Sequence, residues 1–125
     1  MDLKMKNLFV ILTISLFVSN LFAQSDLSGT WYTGAANTLV KIHTLEGEVF
    51  GEIVSSDNPK AKIGKKIIKD LKQEDSNWEG KLYAAKKKEW YDAEIELKDD
   101  YLEITISVGY FSKTSKWKKV ESDKR

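Results

Sequence analysis

Few side chains in this sequence carry reaction chemistry, so each can be weighed singly. His43 is the only histidine. As a general base it would need an acid to orient it and a nucleophile beside it, and nothing in its surroundings marks either. Leu39 and Lys41, its neighbours of like parity in an extended run, describe a mixed, partly exposed face. A structural or surface histidine fits better than a catalytic one. Asp92, Glu94 and Glu96 form a row of carboxylates two residues apart. On one face of a strand such groups stand about 7 Å from each other, which suits paired carboxylates in glycoside hydrolysis or a cation site. The same row alternating with Tyr91, Ala93, Ile95 and Leu97 is also the wet face of a half-buried strand, and that reading is preferred. Lys86-Lys87-Lys88 could meet an anionic surface, but a solvated turn explains it more simply. Cysteine is absent, so there is no thiolate nucleophile and no thiolate metal ligand. No catalytic residue, metal ligand or cofactor motif is assigned. A hydrolytic enzyme is the least favoured class.

The aromatic residues are the one set with binding potential. Trp90, Tyr91, Tyr101, Tyr110 and Phe111 fall near expected strand ends or turns, where rings can line a concavity for a small apolar or sugar-like ligand. Filling a small core is their competing role. For Trp90 and Phe111 the two roles are left open.

The elements that position these residues are short β runs separated by turn signals, the pattern of an antiparallel barrel or sandwich. Residues 29–33, 39–44 and 49–54 are the first three runs, with the Glu46-Gly47 turn making a hairpin of the last two. Gly51 inside the third run predicts a bulge or bend. Residues 55–66, which include the only proline, read as a loop. The segment Ile67 to Lys72 has apolar spacing that suits a helical turn as well as a strand; a strand is preferred because its neighbours are β. Trp78 with 81–84, then 91–97, 102–108 and 114–120, complete eight strands. Eight antiparallel strands can close into an up-and-down barrel that is filled or holds one small ligand.

Ahead of the barrel the chain reads as an export signal. Lys4 and Lys6 precede an apolar stretch from Leu8 to Val18, and Ala23 supplies the small residue before a cut near Ala23-Gln24. The expected organisation is a signal peptide over 1–23, one barrel domain over 24–120 and a polar tail over 121–125. Cleavage and the absence of a lipid-bearing cysteine leave no membrane anchor, and place the domain in the periplasm or outside the cell. Losing Lys4, Lys6 and Asp2 from the 20 cations and 19 anions leaves the exported part balanced in charge. Arg125 is the only arginine. A neutral domain without arginine forks is poorly suited to nucleic acid.

The ordered set of residues resembles a known family. Gly29-Thr30-Trp31, Val40-Lys41-Ile42, the Glu46 to Val54 hairpin, Gly64, Ile68, Leu71-Lys72 and the run Trp78 to Tyr83 carry the likeness. Tyr91, Leu97, Leu102-Glu103-Ile104, Gly109 and Trp117 continue it. On these residues the chain resembles the bacterial domain-of-unknown-function 2147 family, which implies a small secreted, lipocalin-like (calycin-type) barrel. The resemblance also implies that Trp31 is a core residue at the closed barrel end, and Gly29 and Trp117 are expected to be barrel-end structural residues beside it. The family's Asp-Pro and Gly-Lys-Thr-Tyr turn is replaced by Ala84-Ala85 and Lys86 to Tyr91. Its Arg-Gly-Tyr and Trp-x-Arg runs are replaced at Thr105-Ile106-Ser107 and Trp117-Lys118-Lys119. The functional expectation is a non-enzymatic barrel that binds a small ligand or serves as an envelope accessory protein, with a protein-interaction module as the alternative.

Overall fold

The computed structural model describes residues 26–121. The signal peptide expected over 1–23 and residues 122–125 of the tail lie outside the described residues. Eight strands follow in order: β1 (Gly29–Tyr32), β2 (Leu39–Leu45), β3 (Glu48–Ser55), β4 (Lys66–Glu74), β5 (Asn77–Ala84), β6 (Glu89–Leu97), β7 (Tyr101–Val108) and β8 (Phe111–Lys119). Each pairs antiparallel with its successor, and β8 returns to β1, closing the barrel. This is the all-β, eight-stranded, up-and-down barrel expected of the sequence. The two-residue β2–β3 turn holds Glu46 at φ 53° and Gly47 at φ 83°, the pair of positive angles that matches the twist of a tight hairpin.

Alternation within the strands fills the interior. Val40, Ile42, Ile68, Ala93, Ile95, Leu102, Ile104, Trp31 and Trp117 form one buried cluster with Leu27. The space between Val40, Ile42, Ile95, Ile104 and Trp117 is therefore packed. Leu27, just ahead of β1, is 1% exposed, and burying such a side chain stabilises by about 2–3 kcal/mol. The Trp31 indole N–H donates to the Leu27 carbonyl at 3.0 Å, so the largest core ring leaves no orphaned donor. Gly29, at φ 140°, leaves room for Lys119; a Cβ there would stand 3.0 Å from its Nζ. The carboxylate row faces outward, where Asp92 pairs with Lys81 (2.6 Å), Glu94 accepts from Asn77 (2.7 Å) and Glu96 pairs with Lys98 (3.3 Å).

The β4 strand explains why its sequence looked half helical. Against β3 its register shifts by one residue, so that Gly51 faces Ile68 while Glu52 faces Lys66, and Ile67 is the extra residue. Against β5 it shifts again between Lys69 and Lys72, with Asp70 at φ 57°. Two irregularities in one strand bring Ile67, Ile68 and Leu71 toward the core together. Simple alternation could not do so.

The ladder is uneven. β3 and β4 share two residue pairs, as do β8 and β1 (Trp31–Lys119 and Tyr32–Lys118), whereas β7 and β8 share eight. Two seams of short ladder pairing thus join a three-stranded and a five-stranded sheet. The first is extended by the Ile53 N–H to the Lys65 carbonyl (3.0 Å) and the Gly64 N–H to the Ile53 carbonyl (2.7 Å), the second by the Val120 N–H to the Thr30 carbonyl (2.9 Å).

Candidate ligand-binding mouth

Beside the β1–β2, β3–β4 and β5–β6 connections, the wall opens into a cavity of about 810 Å³. Its apolar floor is Ile53 from β3, Ile67 from β4, Leu82 from β5 and Trp117 from β8. Ile67 reaches it because of the bulge in β4. Trp117 is 5% exposed and separates the cavity from the packed interior beneath.

Three connections make the rim. The β1–β2 loop supplies Thr33, Ala35 and Thr38, the β3–β4 loop Asn58, Lys60, Ala61, Lys62 and Lys65, and the β5–β6 turn Ala85, Lys86 and Lys88. The long β3–β4 loop is internally bonded: the Asn58 N–H donates to Ser56 Oγ (3.1 Å), and the Lys60 N–H to Asn58 Oδ1 (3.0 Å). It is also tied to its neighbour across the mouth. The Asn37 amide donates to Asp57 Oδ2 (2.6 Å), the Asp57 N–H donates to the Ala36 carbonyl (2.8 Å), and the Thr38 and Ser56 hydroxyls meet at 2.7 Å. Such side-chain-to-backbone bonds are what Asn, Asp and Ser contribute to loops.

A second concavity, of about 840 Å³, is a trough along the outside of β4, β5, β6 and β7 that reaches the β2–β3 turn. Its lining includes the carboxylates Glu48, Asp70, Glu74, Glu79, Asp92 and Glu94 and the cations Lys72 and Lys81. The hydrogen bond to Asp92 raises the Lys81 pKa above its ordinary value. Among the described residues no group of three or more His, Asp or Glu is arranged to hold a metal ion.

The aromatic residues singled out in the sequence lie in separate places. Trp90 faces outward, paired with Tyr83 at 5.3 Å between ring centroids and covered by the Lys69 ammonium at 4.2 Å. Tyr91 faces Leu82 across the β5–β6 ladder. Tyr101 begins β7, opposite Lys118 and 5.1 Å from the Lys116 ammonium. Tyr110 and Phe111, at 103% and 79% exposure, project from the β7–β8 tip. None of the five lines the mouth. The rings that do are Trp117 and Tyr83, the latter with the Lys65 ammonium 4.2 Å from its centroid. Tyr83 could have been found from its place one strand end from the lysine turn. Ile53, Ile67 and Leu82 carry no signal of their own, being apolar residues in β runs.

His43 does have a carboxylate partner. Its Nε2 is 2.7 Å from Glu52 Oε2, a contact that is an ion pair only when the ring is protonated. Both sit on the outer face. The imidazole and the Lys66 ammonium cover Phe50, at 4.6 and 4.4 Å, which explains why Phe50 is buried although its parity points it outward. Neither His43 nor Glu52 lines the mouth or the trough.

A family model described as "Uncharacterized protein conserved in bacteria (DUF2147)" matches residues 29–119. That span runs from the first residue of β1 to the last of β8. No curated protein and no solved structure matches the chain.

Proposed function

Because the chain belongs to this uncharacterized bacterial family, it inherits no activity from a relative, and we propose from its geometry that it is an exported barrel binding a small ligand with an apolar body at the loop-end mouth. The observation that carries this reading is the apolar floor of Ile53, Ile67, Leu82 and Trp117 beneath a rim of mutually bonded loops. Ligand sites in barrels favour such mouths: concave, mostly apolar and largely preformed. Export rests on the leader at 1–23, and N-terminal sequencing of the secreted form should begin at Gln24.

A neutral solvatochromic dye such as Nile red tests the site. It should bind the native barrel with saturation at one equivalent, and Ala85→Trp, which fills the mouth from an exposed turn, should abolish binding while the fold persists. Absence of saturable binding, or equal binding by Ala85→Trp, would overturn the proposal.

A protein-interaction module is the second reading, and the β7–β8 tip favours it. Val108, Tyr110 and Phe111 are all exposed there, and exposed apolar groups in one place mark contact surfaces. Co-purification of an envelope partner that is lost in Phe111→Ser and kept in Ala85→Trp would support it.

A further inference from the structure

We infer that the ligand of the mouth is an amphiphile with an anionic head, its chain on the apolar floor and its head among the rim lysines. The inference rests on the binding reading above and adds the chemical class of the ligand. The exported chain is balanced in charge, yet its two concavities are not. Five lysines line the mouth (Lys60, Lys62, Lys65, Lys86 and Lys88) with no carboxylate among the lining residues. The outer trough collects six carboxylates and two lysines. Ion pairs among the described residues engage Lys66, Lys81 and Lys98 and none of the five rim lysines.

Unneutralised cations of one sign around a low-dielectric floor raise the local potential and attract anions. Lysine is a compact point charge on a flexible stem, so the rim can follow a single carboxylate or phosphate without a rigid fork. Trp117 closes the floor, so a chain lies within the mouth and does not thread the barrel.

The test compares decanoate with decanol, below the concentrations at which they aggregate, by titration calorimetry or by displacement of Nile red. Decanoate should bind about threefold to fivefold more tightly than decanol. Its advantage should shrink as salt rises from about 0.01 to about 1 M, where the screening length falls from about 30 to about 3 Å. The triple variant Lys60→Gln, Lys62→Gln, Lys86→Gln should lose most of the decanoate advantage and keep its decanol affinity. Equal binding of both ligands would overturn the anionic head and leave the apolar site standing. Failure of both to bind would overturn the site itself. An arm with phosphatidylglycerol vesicles separates free from membrane-held ligand: retention on vesicles that decanoate releases supports the inference, and retention that decanoate does not affect counts against it.

Discussion

Gly80 stands against Leu71 so closely that a Cβ on the glycine would lie 2.9 Å from Leu71 Cδ2 and 2.7 Å from the carbonyl oxygen of Lys69. The contact is the inner side of the bulge in β4, where Asp70 and Leu71 together oppose this one residue of β5. Gly80→Ala must push backbone against backbone. It should destabilise by about 1–3 kcal/mol, read as a lower urea midpoint with an unchanged denaturant slope. An unchanged midpoint would show that the bulge relaxes freely.

Leu27 lies just outside the first strand and is as buried as any residue within it. Leu27→Ala should cost about 2–5 kcal/mol, and tryptophan emission should shift because Trp31 loses its packing partner. Leu45→Ala, at a site 59% exposed, is the control and should stay within about 0.5 kcal/mol of the native barrel.

Asp26 introduces that segment. Its carboxylate accepts the Ser28 N–H at 2.9 Å; that bond, followed by the Ser28 hydroxyl and the Lys119 charge, holds its pKa below the ordinary 3.8. A depressed carboxylate contributes stability above the unfolded value and loses it as pH falls through the folded one. Asp26→Asn, which mimics the protonated acid, should therefore be slightly less stable than the native chain at neutral pH. The two melting curves should converge below pH 3.8. The effect is small because the group is largely in solvent.

Tyr110 and Phe111 bury little, so their replacement isolates recognition from folding. The double variant Tyr110→Ser, Phe111→Ser should unfold within about 0.5 kcal/mol of the native barrel. A larger loss would mean that the tip packs against the barrel in solution.

The eight runs were legible because most strands keep strict alternation. Tyr91, Ala93, Ile95 and Leu97 against Asp92, Glu94 and Glu96 fold as their spacing states. The β4 strand was read as a strand from its β neighbours and not from its own period, which its two register shifts blur. The mouth was less legible still. Its floor takes one apolar side chain from each of four strands, and no feature of Ile53 or Leu82 distinguishes a floor residue from a core residue. The Lys86 to Lys88 run was visible as a solvated turn; what the sequence could not display was its position across the opening from Lys60, Lys62 and Lys65. Aromatic content drew attention to strand ends without saying which way the rings faced, and Trp90 faces outward because it shares the parity of the carboxylate row.

The two short seams, β3 with β4 and β8 with β1, make the barrel two shells held along narrow hems. Partial opening should start at those hems, since each is held by fewer backbone bonds than the eight-pair β7–β8 ladder. The amides of β1 and of the outer half of β3 should then exchange well before those of β6 and β7. Ile53 belongs to the smaller shell, and Ile67, Leu82 and Trp117 to the larger. Whatever occupies the mouth touches both shells at once, so it would act as a clasp, slowing the breathing of a domain that has no disulfide to do so.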